Sequence, residues 1–231
     1  MIVTIDGPAG AGKSTAARAL ARALGFEFLD TGAMFRAVAL AAMRAGVPLT
    51  DEAGLSRLLS EVRLEMVGGR VSLDGEDVSG HIRTPELSAG SSVVAASAVV
   101  RPRLASLQRE IVLGRRFVCE GRDQGTVVFP DAPCKFFLTA DAEERLSRRA
   151  EDLRSRGTAV EIDTLRREQA ERDHRDSHRA LAPLRPAPDA ILVDSTGRSL
   201  GEVVSLMEGE VRRRIVGGPP RVLVIEGGER E

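Results

Sequence analysis

The decisive segment of this chain reads Gly7-Pro8-Ala9-Gly10-Ala11-Gly12-Lys13-Ser14-Thr15 and lies near the N-terminus. Its spacing is G-x-x-x-x-G-K-[ST]; the apolar residues 1–5 before it predict a strand, and residues 13–24 after it predict an amphipathic helix. Glycines let such a loop curl so that its backbone N–H groups, with the N-terminus of the helix, face phosphate oxygens. Residues 7–15 therefore predict a binding loop for the triphosphate of a nucleotide.

Two side chains strengthen this interpretation. Of the 33 basic residues in the chain only Lys13 and Lys135 are lysines, so a lysine at this position is not explained by the composition. A glycine-rich turn that merely caps a helix needs no lysine, whereas an ammonium group binds the β- and γ-phosphates as a point charge. The hydroxyl of Ser14 would bind Mg²⁺.

The composition limits the other classes of function. The chain has 231 residues, a net charge of −1, 42% hydrophobic residues and no Trp or Tyr, which is typical of a soluble globular protein and predicts no nucleic-acid partner. No apolar stretch reaches the length of a membrane span, and the N-terminus lacks a signal-peptide pattern. Two cysteines, Cys119 and Cys134, suit a reducing compartment. We expect a cytoplasmic monomer with no membrane partner.

The order of predicted elements indicates an α/β fold, a parallel sheet flanked by helices. Residues 63–66 and 70–73 alternate around Gly68-Gly69 and predict a small antiparallel insertion at about 62–84. Polar helices at 141–156 and 162–180 predict a solvent-facing arm, with a helical lid at about 145–175. We expect a single domain at 1–214 and a loosely ordered tail at 215–231. Other predicted strands are 27–29, 117–120, 135–138 and 191–193; other predicted helices are 31–45, 51–62 capped by Thr50, 85 onward, 99–113 and 199–214.

The loop alone does not define the reaction. The chain has no Asn-Lys-x-Asp motif of GTPases and is too short for a large mechanochemical ATPase, so a small kinase fits best. Residues 30–36 and 121–123 each follow a predicted strand, where open α/β sheets bind ligands. Arg36 and Arg122 could bind an anionic acceptor, and Asp123 could accept a hydrogen bond from an amino group or a hydroxyl. The alternative for residues 121–123 is an exposed ion pair.

The polar helix at 162–180 carries a second set of basic residues. Arg172, Asp176 and Arg179 share one helix face, which would form a solvated salt-bridge ladder if no anionic partner bound there. Arginines outnumber acids on that face, which favours an anionic ligand. A similar cluster on the preceding helix contains Arg145, Arg148 and Arg149.

Together these motifs closely resemble bacterial cytidylate kinases (CMP/dCMP kinases), in the nucleoside monophosphate kinase family of P-loop kinases. The run at 121–132 is far more specific than the phosphate loop. The matching stretches are residues 5–15, 30–36, 76–80, 82–84, 121–123, 125–132, 172–180 and 182–184.

The resemblance implies transfer of a phosphoryl group from ATP, with Mg²⁺, to CMP or dCMP in pyrimidine nucleotide metabolism. It implies catalytic roles for Lys13, Arg122 and Arg179, and closure of arginines from the first lid helix over the transferring group. The implied roles on the acceptor side are base recognition by Ser92, Arg101 and Asp123, phosphate binding by Thr31, Arg36, Arg122 and Arg179, and sugar-side contacts by Arg172 and Asp176.

Three residues depart from the family pattern: Thr31 and Phe35 stand where Ser and Tyr are frequent, and Gln124 replaces a frequent Met. Two alternatives remain open at this point. One is a kinase for another nucleoside monophosphate, UMP or AMP, and the other is a non-enzymatic nucleotide-binding module.

Overall fold

The computed structural model describes residues 1–155, 157–217 and 224–225. Its helices are α1 (Lys13–Leu24), α2 (Thr31–Arg44), α3 (Glu52–Glu61), α4 (Pro85–Val94), α5 (Val100–Val112), α6 (Ala142–Ser155), α7 (Ile162–His178) and α8 (Leu200–Ile215). Its strands are β1 (Ile2–Asp6), β2 (Glu27–Asp30), β3 (Leu64–Val67), β4 (Arg70–Leu73), β5 (Glu76–Asp77), β6 (Phe117–Glu120), β7 (Cys134–Thr139), β8 (Ile191–Asp194) and β9 (Val224–Ile225).

The main sheet is parallel and has the strand order β2-β6-β1-β7-β8-β9 within the described residues. β1 lies between β6 and β7, with Thr4 opposite both Cys119 and Lys135. The chain leaves β1 towards one edge of the sheet and later crosses to the other side of β1 at β7. Since all these strands are parallel, the carboxyl ends of β1, β2 and β6 meet at one edge, where such sheets bind ligands.

Each face of the sheet is covered by helices, as parallel sheets require. On one face α1 and α8 pack on β1, with Leu20 and Met207 fully buried in the shared core. On the other face α2, α4 and α5 form a second core around Met34 and Leu104, which extends to Val71 of the small sheet. The phosphate loop is therefore supported by a strand and a helix that are both anchored in a core.

The small antiparallel sheet has the order β3-β4-β5. It forms the predicted insertion, and the positive φ angles of Gly68 and Gly69 make the turn between β3 and β4. Helices α6 and α7 pack on each other around a separate small core of Leu146, Ala150 and Leu165. They occupy the predicted lid position, and most of their polar residues are exposed. Their small core is separate from the two cores that cover the main sheet.

The structure adds details that the sequence did not predict. Helix α3 is capped by Asp51, not by Thr50, because the Asp51 carboxylate accepts a hydrogen bond from the Gly54 N–H at 3.0 Å. A π-helical turn, Gln124–Val128, follows β6. Most of the tail for which we predicted loose order, 218–223 and 226–231, lies outside the described residues. Val224–Ile225, by contrast, pairs with β8 in parallel.

None of the described helices is long and apolar enough to cross a bilayer.

We predict that Gly7→Ala destabilises the fold strongly. Gly7 has a φ of +148°, and a Cβ atom there would overlap the carbonyl oxygen of Leu138 on β7, which is backbone and cannot move aside. Strain and overlap together should lower the free energy of unfolding, measured by urea denaturation, by about 3 kcal/mol or more.

Gly25→Ala is the matched control for this variant. Gly25 also has a positive φ, +66°, but nothing lies within 4 Å of its added Cβ. It should lose only about 1–2 kcal/mol from backbone strain. Equal losses in the two variants would show that the contact with β7 is not limiting.

Candidate functional site

The candidate site is a cleft of about 780 Å³ at the carboxyl edge of β1, β2 and β6. The phosphate loop forms one wall, and residues 30–36 and 121–123 form the opposite wall. Helix α4 and the lid helices α6 and α7 complete the lining. The cleft therefore has room for two ligands that meet between the loop and the opposite wall.

The phosphate loop has the geometry expected from its sequence. Gly10 and Gly12 adopt left-handed φ angles of +79° and +81°, and α1 begins immediately after Gly12. The free N–H groups at the start of α1 consequently point into the cleft. The ammonium group of Lys13 donates to the Pro8 carbonyl at 2.6 Å, so the side chain folds back over the loop.

Burial changes the titration of Lys13. Its side chain is almost fully enclosed. Burial first, and then the positive charge of Arg122, lower the pKa of the ammonium group to about 7 against the opposing effect of Glu120. Because this pKa is close to neutral pH, an anion that binds beside Lys13 would stabilise its charged ammonium form. Lys13 is therefore prepared for a polyphosphate.

Three carboxyl groups end the strands around the loop, Asp6, Asp30 and Glu120, and all are buried. Burial raises the pKa of Asp6 to about 7, although its oxygens accept hydrogen bonds from the Gln124 and Gly125 N–H groups at 2.9 and 2.7 Å. The pKa of Glu120 is also raised, first by burial and then by the negative charge of Asp30. Both shifts come first from burial, so these carboxyl groups lie where their charged forms are poorly solvated.

Ser14 lies at the centre of this acidic region. Its hydroxyl donates to a Glu120 carboxylate oxygen at 2.7 Å. A hydroxyl and a carboxylate suit Mg²⁺, which usually retains several waters and takes few protein ligands. In the part of the chain that the structure describes, no group of three or more His, Cys, Asp or Glu residues forms a complete metal cage. The oxygen donors beside the loop fit a cation of the magnesium type.

Asp6 and Glu120 were not predicted as site residues from the sequence. Asp6 precedes Gly7, and Glu120 precedes Gly121, so each is the last residue of a strand that runs into a glycine-rich turn. That position was a usable signal, but only the strand order shows that the two strands are adjacent. Asp30, the first residue of the stretch 30–36, caps α2 by accepting from the Ala33 N–H at 2.8 Å.

On the wall opposite the loop, Arg101 and Asp123 form a buried ion pair. Arg101 also donates to the Ala95 carbonyl at 2.7 Å and lies 5.6 Å from the centre of the Phe35 ring. These contacts fix the planes of the guanidinium and carboxylate groups. The structure thus brings Arg101 and Asp123 together as the sequence predicted, and a planar ring could bind against them.

Residues 30–36 form part of the cleft wall that also contains the Arg101–Asp123 pair. The Thr31 hydroxyl donates to the Glu120 carbonyl at 2.7 Å, and this bond ties the end of β2 to β6. The Arg36 guanidinium lies 3.3 Å from Asp30. Burial alone would raise the pKa of Asp30, but Arg36 and the Ala33 N–H lower it overall.

The lid contributes its charges around Asp176, which is 3% exposed. Its carboxylate accepts from Arg122 Nε at 3.0 Å and from the Ser92 hydroxyl at 3.1 Å. Arg172 and Arg179 each lie 4.0 Å away. Burial alone would raise the pKa of Asp176, but these three arginines lower it overall. Asp176 therefore joins α7 to β6 and α4, and Ser92 faces Asp176 instead of Asp123.

One carboxylate does not satisfy so many arginines. Burial and the neighbouring arginines lower the pKa of Arg172 to about 9 and that of Arg179 to about 10. Buried nitrogens of three arginines, Arg36 Nε, Arg172 Nε and Arg179 Nη2, have no hydrogen-bond partner among the described residues. Unpaired buried donors are costly, so these arginines favour a bound anion.

Two arginines of the cluster on α6, Arg145 and Arg148, contact residues at or near the phosphate loop. Arg145 Nη1 donates to the Ala9 carbonyl of the phosphate loop at 3.0 Å. Arg148 donates to the hydroxyl and the carbonyl of Ser195 at 2.9 and 2.8 Å. The lid therefore lies directly over the loop, and the sequence-predicted residues of both walls face a single cleft.

Comparison with known proteins agrees with this geometry. The cytidylate kinase family model matches residues 3–213. The chain is 49% identical over 218 residues to the cytidylate kinase of Geobacter sulfurreducens, covering 93% of this chain and 94% of that protein. It is 50% identical over 214 residues to the cytidylate kinase of Pelotomaculum thermopropionicum, covering 90% and 95%.

A solved structure supports the fold alone. The crystal structure of an uncharacterized protein from Eubacterium ventriosum matches with a TM-score of 0.52 at 12% identity, over 94% of this chain and 99% of that chain. The resemblance seen in the sequence is confirmed by the family match and by the relatives. The chain belongs to the cytidylate kinase family of ATP-dependent nucleoside monophosphate kinases.

Proposed function

We propose that this chain transfers the γ-phosphoryl group of ATP to CMP or dCMP and releases ADP with CDP or dCDP. One observation carries the proposal: buried arginines with unpaired donors face the phosphate loop across a cleft that also contains the Arg101–Asp123 pair. The first feature suits the phosphate of an acceptor, and the second suits its base.

The donor would bind at residues 7–15. The backbone N–H groups of the loop and of the first turn of α1 would hold the phosphates, with Lys13 as the cation at the β- and γ-phosphates. Mg²⁺ would bind through the Ser14 hydroxyl, with Glu120 close enough to hold a magnesium-bound water. When bound, the ion neutralises phosphate charge and orients the triphosphate.

The acceptor phosphate would bind to the arginines that converge from three elements. Arg36 comes from α2, Arg122 follows β6, and Arg179 comes from the lid. Unpaired nitrogens of Arg36 and Arg179 supply charge-assisted donors that a dianionic phosphate needs. Thr31 lines the same wall, and Arg172 and Asp176 would contact the sugar side.

The base would bind beside Arg101 and Asp123. The carboxylate of Asp123 can accept a hydrogen bond from the amino group of cytosine, and the guanidinium of Arg101 can donate to acceptor atoms of the ring. Ser92 lies on α4 next to this pair and donates to Asp176. A base with a carbonyl in place of the amino group would present an acceptor to the Asp123 carboxylate, which disfavours UMP.

The reaction needs no general base because the acceptor phosphate is already anionic. Catalysis then rests on positioning the acceptor oxygen in line with the γ-phosphorus and on stabilising the charge of the transferring group. Lys13, Arg122 and Arg179 would provide that charge, and the closed lid would keep water away from the reacting centre. Action as a cytoplasmic monomer stays a prediction from the composition.

An acceptor screen tests the proposal. With ATP and Mg²⁺, we expect ADP formation to be fastest with CMP or dCMP and much slower with UMP, AMP and dTMP. A Lys13→Ala variant should lose transfer to every acceptor, since it removes the cation at the β- and γ-phosphates. A preference for UMP or AMP would favour a different monophosphate kinase, and ATP binding without any transfer would favour a nucleotide-binding module.

Asp123→Asn should change the choice of base. The variant keeps a hydrogen-bond partner for Arg101 but loses the charge that accepts the cytosine amino group. We expect kcat/KM for CMP to fall roughly 10- to 100-fold, the effect of losing a hydrogen bond to a charged group. The KM for ATP should change less than about twofold, and UMP should lose less than CMP.

Asp131→Asn is the control for this substitution, because Asp131 is an exposed residue of the same segment. It should leave both kinetic constants unchanged. Equal losses for CMP and ATP in Asp123→Asn would contradict a role of Asp123 in base recognition.

Binding of ATP should take up protons at pH 8. The pKa of Lys13 is lowered to about 7 in the free protein, so Lys13 is mostly neutral at pH 8. The triphosphate stabilises the ammonium form and raises this pKa, so the bound state holds on the order of one proton more. Accordingly, ATP affinity should fall as the pH rises above about 7.

Titration calorimetry in buffers of different ionisation enthalpy measures this proton uptake. An Asp6→Asn variant should retain the uptake, which separates Lys13 from the other group with a pKa near 7. A Lys13→Arg variant should lose it because guanidinium stays charged. Absence of uptake in the wild-type protein would show that Lys13 is already charged before ATP binds.

A further inference from the structure

Asp173 of α7 contacts the phosphate loop and Arg145, and the proposed mechanism gives it no role. One of its oxygens, Oδ1, accepts from the Ala9 N–H of the phosphate loop at 3.4 Å. The other oxygen, Oδ2, pairs with the guanidinium of Arg145. The same nitrogen of Arg145 donates to the Ala9 carbonyl. Asp173 therefore binds the N–H of Ala9, and Arg145 binds its carbonyl oxygen.

Arg145 is fixed in this position by further contacts. Its Nε donates to the Ala140 carbonyl at 3.1 Å, which directs the guanidinium towards the loop. The backbone of α6 also lies against the loop, since a Cβ added at Gly10 would come 2.7 Å from the Arg145 carbonyl oxygen. The side chains of Arg145 and Asp173 are only 13% and 23% exposed, so solvent screens the pair weakly.

Helix α7 carries this contact and the acceptor-side contact at once. Asp173 and Asp176 are three residues apart, about 4.5 Å along the helix axis. Asp173 faces the loop, whereas Asp176 faces Arg122 and Ser92 on the acceptor wall. A movement of α7 that closes the acceptor side therefore also brings Asp173 to the phosphate loop.

We propose that Asp173 is a positioning residue: it holds the guanidinium of Arg145 at the phosphate loop and thereby couples closure of the lid over the acceptor to completion of the donor site. This inference rests on the proposed function. Asp173 itself touches no substrate and acts through Arg145. A guanidinium at Ala9 fixes the loop backbone that would hold the phosphates, and it does so only while the lid is closed.

The charge of Asp173 makes the role specific. A carboxylate beside a triphosphate repels it, so Asp173 is useful there only as the partner of Arg145. The effects of the two residues should therefore be strongly non-additive. A residue that merely stabilised α7 would show no such coupling to Arg145.

A double-mutant cycle in the full chain tests the proposal. Asp173→Asn should lower kcat with ATP and CMP by about tenfold or more while KM for CMP stays within about twofold. Arg145→Gln should cause a similar loss, and the double variant should be no worse than Arg145→Gln alone. Glu171→Gln is the matched control: Glu171 lies on the same helix, is 70% exposed at its side chain, and should leave kcat unchanged.

Limited trypsin digestion provides a readout that does not depend on transfer. Mg²⁺ and a non-hydrolysable ATP analogue should slow cleavage after Arg166 and Arg167 of α7 in the wild-type protein and in Glu171→Gln. In Asp173→Asn this protection should be lost. If the wild-type protein did not phosphorylate CMP, the proposed reaction would fail, but this digestion would still test the coupling.

Any of three results would overturn the inference. Unchanged kcat with tighter ATP binding in Asp173→Asn would mean that ATP displaces Asp173 from the loop. Additive effects of the two substitutions, or an equal loss in Glu171→Gln, would mean that Asp173 contributes only its charge to α7.

Discussion

The carboxylate of Asp176 holds together three arginines that would otherwise repel one another. Arg122 belongs to the core, whereas Arg172 and Arg179 belong to the lid, so this buried contact is also the joint between the two parts. A buried carboxylate that loses such partners is costly, and so are buried arginines that lose their carboxylate. The packing of α7 against the cleft depends on this balance.

The balance is incomplete in a way that favours a ligand. Three arginine nitrogens in the cleft are buried without a partner in the described part of the chain. The oxygens of an acceptor phosphate would accept hydrogen bonds from these nitrogens. Its negative charge would neutralise the arginine charge that Asp176 alone does not balance. Binding of the acceptor and closure of the lid should therefore reinforce each other, because both remove the same excess of positive charge.

Buried groups of both signs meet at the phosphate loop. Asp6, Asp30 and Glu120 bring buried carboxyl groups to the ends of three neighbouring strands, and Lys13 is the buried ammonium among them. A nucleotide with its magnesium ion fits such a mixed environment, with phosphates on the N–H groups and Lys13 and the ion at Ser14. Asp173 and Arg145 then connect this donor region to the same helix that holds Asp176.

The sequence by itself determined the phosphate loop, the alternation of strands and helices, the β3–β4 hairpin and the family, because these depend on local spacing and residue type. It also predicted Arg172 and Arg179 as candidate ligands of an anion, since arginines outnumber acids on that helix face. Only the tertiary structure decided that Asp6 and Glu120 belong beside the loop, that Ser92 faces Asp176 and that Val224–Ile225 joins the sheet. Those results depend on which strands are neighbours and on how the lid packs against the core, and no local pattern in the chain encodes either of them.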